Sequence, residues 1–213
     1  MNEEISFIQF GILSSDDIKR LSVCEITSTK LSGMNSIYDP RLGTLDETPC
    51  PTCGLNSKQC TGHFGHLSLA CRIMNPLYSR LVVSILKCIC FKCSRLLYSE
   101  EKLRLNELYK SNNVSRFQSI TKELEKVFIC CHCGCHQAKY VFNNSEKTVQ
   151  MCFKTSEGTT QKLSLSDDEI YKIFANMKSK DIKLLGMKPG VSHPMDLIMS
   201  NLLVLPTVAR PFV

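Results

Sequence analysis

Helical spacing is clearest after Pro76, where Leu77, Leu81, Ile85 and Cys88 fall on one face with Val82 and Leu86 beside them. Proline suits the first helical position, so Pro76 is expected to open that helix. Residues 99–128 read as one or two helices: Leu103, Leu105 and Leu108 precede a Ser111-Asn112-Asn113 break, and Phe117, Ile120, Leu124 and Phe128 follow it. Their charges alternate in sign, the mark of a solvated helical surface with i,i+4 pairs. Ser166 followed by Glu169 forms a capping box for a helix that buries Ile170, Ile173, Phe174 and Met177. A short helix over 181–185, stopped at Gly186, and another over 194–201 after His193 complete the second half. Near the N-terminus, Ser14 or Ser15 caps a short helix through Asp16, Asp17, Ile18 and Leu21, with its acids toward the positive end of the dipole.

Strand signals are shorter. Residues 5–10 alternate loosely, residues 23–29 are β-prone, and Leu67, Leu69 and Cys71 alternate around Ser68. Residues 140–153, with an Asn143-Asn144 turn, Gly158 and residues 162–165 suggest a small antiparallel sheet. The last stretch, LLVLPTVARPFV, reads as an extended strip interrupted by prolines. It is expected to belong to a chain cut off mid-protein or to dock on a neighbour. The fold class expected is α+β, irregular, with short helices and small antiparallel sheets.

Cysteine changes this picture. The 213 residues include 13 cysteines, an odd number, and MNEEISFIQF has neither the basic start nor the apolar run of a signal peptide. That combination favours metal over a disulfide framework. The apolar runs are far short of a membrane span, so an intracellular, soluble protein with no membrane partner is expected.

Cys50, Cys53, Cys60 and His63 follow the spacing Cys, two residues, Cys, six residues, Cys, two residues, His. Three thiolates and an imidazole fill a tetrahedral zinc shell and leave no position for water, so the site reads as structural. Pro51 fixes the backbone after the first ligand, and Gly54 and Gly62 can take the positive φ of a knuckle turn. His66, three residues further on, reads as a surface or supporting group. Arg41 reads as a brace for this loop.

A second site pairs Cys90 and Cys93 with a later cysteine pair. Cys130 and Cys133 have the two-residue gap and a following Gly134, whereas Cys131 and Cys135 compete with a three-residue gap, and His132 or His136 could replace a cysteine. The 36 residues from Cys93 to Cys130 would become a zinc-stapled subdomain. Cys24, Cys71 and Cys152 read as ordinary core thiols and Cys88 as a non-ligand. His193 reads as a turn or cap residue.

The formal net charge is +6. A three-cysteine, one-histidine zinc site changes it by −1 and a four-cysteine site by −2, which leaves about +3 with both filled. This balance permits nucleic-acid contact without requiring it. Lys87, Lys92 and Arg95 could meet DNA phosphates, or could simply be solvated. No phosphate-cradling glycine loop, Asp-x-Asp-x-Asp cluster or nucleophile–histidine pair stands out, so no catalytic residue is assigned.

The order QFGILSSDDIKRLSV, YDPRLGT, the first zinc motif ending in GHFGH, both cysteine pairs, LSLSDDEIYKIF and LPTVARP resembles the N-terminus of the largest subunit of multisubunit DNA-dependent RNA polymerases. The resemblance covers essentially the whole chain. It implies a clamp that swings over the active-centre cleft and holds template DNA and the RNA–DNA hybrid. Residues 1–78 would form the clamp core with the first zinc, 79–200 the clamp head with the second, and 201–213 an extended return to the core. It implies metal roles for Cys50, Cys53, Cys60, His63, Cys90, Cys93, Cys130 and Cys133. It also implies the second-largest and other polymerase subunits as partners.

The family's Asn-Ala-Asp-Phe-Asp-Gly-Asp motif is absent from these residues. Mg2+ chemistry would therefore belong to a downstream part of the polymerase, and the chain would be part of a nucleotidyltransferase without holding its catalytic residues. A short connector before Asp39, a compact clamp-head loop and the tyrosine of YDPRLGT resemble the enzymes of large DNA viruses. Such a version would act in the virion or host cytoplasm, and a cellular one in the nucleus. The competing classes are a stand-alone zinc adaptor, such as a RING-like ligase, and an independent nucleic-acid-binding zinc protein. A RING interleaves its two sites along the chain, whereas here the first four ligands close within 14 residues.

Overall fold

The computed structural model describes residues 10–98, 112–124, 126–154 and 159–210. The chain divides into two compact units, one made of Leu13–Arg72 with Met199–Val213, the other of Met1–Ile12 with Ile73–Ile198.

In the first of these, α1 (Ser15–Leu21) starts at Ser14, whose side chain accepts from the Asp17 amide while Asp17 reaches back to the Ser14 backbone. Those Ser14 hydrogen bonds hold the Asp17 carboxyl below the usual carboxylate range. Strand β1 (Ser22–Glu25) follows directly and lies beside β2 (Phe64–Met74), which is next to β6 (Ile198–Val204) in a three-stranded sheet. β1 and β2 are parallel, with Ser22 opposite Phe64 and Glu25 opposite His66. Parallel neighbours need a long crossover, and residues 26–63 supply one that carries the first cysteine cluster. The core behind this sheet is small: Cys24, Ile26, Leu42 and Val204. Within β2, position 65 favours glycine because a Cβ there would sit 2.8 Å from the Leu42 side chain. Cys71, expected in the core, is exposed on β2.

The other unit has a much larger core. A 3-10 turn over Pro76–Tyr78 leads into α2 (Ser79–Cys88), which buries Val82, Val83, Ile85, Leu86 and Cys88. Leu77, expected on that face, is 86% exposed, because it sits in the tighter turn and not in the α-helix. α3 (Asn113–Leu124) buries Ile120 and Leu124; Phe128 lies past its end and is exposed. β3 (Lys139–Asn143), β4 (Thr148–Lys154) and β5 (Thr160–Leu165) form an antiparallel sheet in that order, with Tyr140 opposite Met151 and Met151 opposite Leu163.

The Ser166–Glu169 capping box starts α4 (Asp167–Ala175), and the Asp167 carboxylate also accepts the Met74 amide at 2.8 Å. α5 (Ser179–Leu184) ends before Gly186, whose φ of +86° reverses the chain. Phe174, Ile85, Ile120 and Ile170 are fully buried here, each a side chain whose burial stabilises by about 1.5–3 kcal/mol. The helix expected over 194–201 is only a 3-10 turn, Pro194–Leu197, capped by His193; β6 takes the remainder. Strand pairing outweighs the helical spacing there, as the branched and leucine-rich run suits a sheet. The strand expected at 5–10, apart from Phe10, the helix over 99–111 and the Gly158 turn lie outside the described residues.

Candidate metal centres

Each CxxC pair sits on the same small piece of backbone. The Cys50 amide donates to the Leu55 carbonyl at 2.8 Å, and the Gly54 amide donates to the Cys50 carbonyl at 2.7 Å. Likewise the Cys90 amide donates to the Arg95 carbonyl at 2.9 Å and the Ser94 amide to the Cys90 carbonyl at 2.8 Å; the Cys130 amide donates to the Cys135 carbonyl at 2.9 Å and the Gly134 amide to the Cys130 carbonyl at 3.0 Å. The residue four after each first cysteine is left-handed: Gly54 at φ +72°, Ser94 at +54° and Gly134 at +69°. This turn points the second cysteine back toward the first, which is why a two-residue gap suits a shared ion.

The structure brings Cys50, Cys53, Cys60 and His63 together as one quartet and Cys90, Cys93, Cys130 and Cys133 as another, with donor atoms inside each lying within 4.8 Å of one another. Cys60 Sγ is 3.6 Å from His63 Nε2. Cys90 Sγ is 3.6 Å from Cys133 Sγ, and Cys93 Sγ is 3.7 Å from Cys130 Sγ. A tetrahedron with bonds of about 2.3 Å has edges of about 3.8 Å, whereas a disulfide would bring two sulfurs to about 2.05 Å. Both quartets could therefore hold a metal ion, and their donor chemistry fits zinc.

Electrostatics explain why such a quartet needs a cation. Burial pushes the Cys90 thiol up, but the amides of Cys93 and Lys92, the Gln137 side chain and Cys133 outweigh it and bring it down to about 7. Burial and the neighbouring thiols push Cys93 up to about 12. The first quartet shows the same division, with Cys50 lowered and Cys60 raised. One thiolate therefore forms readily and opposes the next; a divalent ion reverses that opposition.

Two buried carboxylates brace the turns. Asp39, fully buried, accepts from the Asn35 amide at 2.5 Å, from the Arg41 amide at 2.9 Å and from the Arg41 guanidinium at 2.6 and 3.0 Å. The Arg41 guanidinium beside it holds the Asp39 carboxyl below the usual range. The Arg41 carbonyl accepts the Thr52 hydroxyl at 2.7 Å, and the Leu42 carbonyl accepts the His63 amide at 3.0 Å. Around the other quartet, Asp181 accepts from Arg95 Nε and from the Leu96 amide, both at 3.3 Å.

The competing side chains are engaged elsewhere. Cys131 Sγ contacts the Leu97 carbonyl at 3.8 Å, Cys135 Sγ the His136 carbonyl at 3.5 Å, and His132 Nε2 the Leu96 carbonyl at 3.0 Å. His66 Nδ1 lies 2.8 Å from Ser22 Oγ. Cys88 is buried against Thr121, and that burial pushes its thiol up to about 11. Of the phosphate-contact candidates, Arg95 pairs with Asp181, Lys92 is exposed on its turn and Lys87 is half-buried at the end of α2.

Sequence reasoning missed Ser94, Asp181 and Gln137, whose side-chain amide donates to Cys90 Sγ at 3.3 Å. The missed signal was a repeat at an offset of 40: residues 88–97, CICFKCSRLL, align with 128–137, FICCHCGCHQ. The repeat extends to the outer bonds, Leu97 to Cys88 at 2.9 Å and Gln137 to Phe128 at 2.8 Å.

Comparison with known proteins identifies the family. Residues 2–213 match the family described as RNA polymerase Rpb1, domain 1. The chain is 34% identical over 225 residues to a probable DNA-directed RNA polymerase II subunit RPB1 homolog of Invertebrate iridescent virus 6, covering 98% of this chain and 22% of that protein. It is 31% identical over 223 residues to DNA-directed RNA polymerase subunit Rpo1N of Methanocaldococcus jannaschii, covering 98% of this chain and 16% of that one. It is 29% identical over 231 residues to DNA-directed RNA polymerase II subunit RPB1 of Euplotoides octocarinatus, covering 99% and 48%. The chain thus spans less than half the length of each of these relatives, and it belongs to the RNA polymerase Rpb1 domain 1 family.

Proposed function

We infer that these residues form the clamp segment of the largest subunit of a DNA-directed RNA polymerase, closing over the cleft to hold template DNA and the RNA–DNA hybrid during transcription. The observation that carries this reading is the family match across residues 2–213, joined to two separate donor quartets. The proposed bounds are a clamp core, 1–78 with the return 201–213, and a clamp head, 79–200; the division into two compact units supports two bodies, although it groups residues 1–12 and 73–78 with the clamp-head residues. Each quartet holds one structural Zn2+, which stiffens a body rich in loops so that it can move as a jaw. The catalytic aspartates and their Mg2+ lie outside these 213 residues. The partners are the second-largest subunit and the other polymerase subunits.

Lys92 is the exposed member of the proposed phosphate contacts, and Arg95 serves first to anchor its turn through Asp181. The exposed lysine gives only a small, salt-sensitive footing. The isolated chain is therefore expected to bind duplex DNA more weakly than micromolar at physiological salt. Purifying a tagged chain from its native source tests the assignment. Recovery of a second, much larger polymerase subunit with about two zinc ions per chain is expected. A chain that purifies alone and binds DNA tightly at physiological salt would be an independent nucleic-acid-binding protein instead.

A further inference from the structure

Beside the second quartet lies a cavity of about 370 Å³, lined by the end of α2, the residues after α3 and strand β3. That volume lies within the range of ligand sites, about 300–1,000 Å³. A second cavity of about 240 Å³ shares Phe128, Gln137 and Lys139 with it and continues to Phe153 and Thr160. Sharing those walls, the two adjoin as one groove.

Three independent features mark this groove as built for an occupant. First, its lining holds polar atoms without partners. The Gln137 amide is fixed by its two donations, to Cys90 Sγ at 3.3 Å and to the Cys135 carbonyl at 2.8 Å, and its buried Oε1 has no partner. Tyr140 is 4% exposed, and its hydroxyl also has no partner. One acceptor and one donor are thus left over, the complement of a peptide group. Second, β3 pairs with β4 on one side, and among the described residues no strand pairs with its other edge. An open edge beside a groove is where an extended segment adds as a strand. Third, among the described residues the lining includes Lys87 and Lys139 and no carboxylate, while Phe128 and Val141 are more than half exposed. Exposed apolar groups around a groove with two lysines fit a segment that carries both apolar and acidic side chains.

We propose that this groove receives an extended acidic and apolar peptide segment of another polypeptide, which adds to the free edge of β3 and hydrogen-bonds to Gln137 and Tyr140. The open strand edge favours a peptide over a compact small molecule. The proposal goes beyond the clamp assignment and does not depend on DNA.

The test is an amide-shift titration of the isotope-labelled, metal-loaded full chain with three probes. These are acetyl-Asp-Leu-Val-Asp-amide, acetyl-Lys-Leu-Val-Lys-amide and N-methylacetamide. The acidic peptide is expected to shift the backbone amides of Lys139, Tyr140 and Val141 and the side-chain amide of Gln137. It is expected to bind about fivefold more tightly than the basic one, the effect of two exposed ion pairs, and Lys87→Gln with Lys139→Gln should remove that difference. Tyr140→Phe should raise the melting temperature of the free chain, since a partnerless buried hydroxyl is gone, and yet weaken the acidic peptide. That opposition separates a binding role from a structural one. Equal binding of both peptides, unmoved β3 amides, or unchanged affinity in Tyr140→Phe would overturn the proposal. Binding of N-methylacetamide with neither peptide would also overturn it, making the groove a small-molecule site.

Discussion

The two quartets are built on the same knuckle turn, yet they sit in opposite mechanical settings. The first takes all four donors from 14 consecutive residues and stands beside a core of four buried side chains. The second joins two turns an offset of 40 apart and stands inside the larger core around Ile85, Ile120, Ile170 and Phe174. Loop closure alone favours a greater contribution from the second ion. Closing 36 residues instead of six costs about 1.6 kcal/mol more in chain entropy, which the clip removes from the unfolded state. The missing core works the other way and is larger, since each absent buried side chain forgoes about 1.5–3 kcal/mol. The comparison therefore teaches that the unit with the shorter loop would depend more on a bound metal.

Chelation gives the largest expected effect and could break this view. Structural zinc stabilises its site by about 10–16 kcal/mol near neutral pH, more than a core of four residues can replace. Hydrogen exchange after removal of the metal should show loss of protection throughout residues 22–67. In the other unit the loss should be confined to the turns at 88–97 and 128–137, with α2 and α4 still protected. Cys53→Ser should reproduce the first result, and Cys71→Ser, at an exposed position on β2, should change little. If Cys53→Ser and Cys71→Ser behaved alike, the ligand assignment would be wrong; if α2 lost protection first, the core argument would be.

The next effect is expected from the other side of the comparison. Phe174 is fully buried, and Phe174→Ala should cost about 3–5 kcal/mol through lost transfer and the cavity left behind. Denaturant titration should find that cost in the unit with the second quartet, while metal analysis should still find two ions per chain. Loss of one ion would show that the core and the second metal site are a single cooperative element.

What was legible in the sequence follows the range of the interaction responsible. Ser166 with Glu169 is a local pair three residues apart, so its capping box could be read directly; the equally local Ser14–Asp17 pair settles a cap that the sequence left open between Ser14 and Ser15. The first quartet is local too. The second was legible through its two-residue gaps, and the choice of Cys130 and Cys133 over Cys131 and Cys135 corresponds to the thiols that the fold gathers. Residues 194–201 misled because the partner that makes β6 a strand is β2, more than 120 residues away in sequence. Asp181 was hidden for the same reason: its partners, Arg95 and Leu96, are 86 and 85 residues away. Ser94 escaped because only the glycine at Gly54 and Gly134 advertises a left-handed turn.

The two bracing carboxylates sharpen the comparison at smaller scale. Asp39 has four contacts of 2.5–3.0 Å, whereas Asp181 has two at 3.3 Å. Asp39→Asn should cost about 3 kcal/mol, because it leaves a partly buried guanidinium uncompensated. Asp181→Asn should cost about 1 kcal/mol, near the value of an ordinary hydrogen bond. Thermal unfolding of metal-loaded protein would measure both. Equal losses would mean that the first loop is held by its ion alone and that Arg41 is dispensable.

The smallest effect concerns the left-handed residue of each turn. A Cβ at Gly134 would meet nothing within 4 Å, so Gly134→Ala carries only the conformational cost of a left-handed L-residue, about 1 kcal/mol. Ser94 already bears that cost at φ +54°. Ser94→Gly would relieve it, but glycine gives the unfolded chain extra freedom worth about 0.5–1 kcal/mol. The two terms nearly cancel, so Ser94→Gly should stay close to the parent while Gly134→Ala falls by about 1 kcal/mol. Both can be measured by denaturant midpoint in the presence of zinc. The asymmetry is informative because the two halves of the second quartet share the same backbone bonds within their turns. A loss at Ser94→Gly matching that of Gly134→Ala would show that the buried serine hydroxyl, and not the turn, secures the Cys90–Cys93 half, and the two knuckles would then not be equivalent supports for one ion.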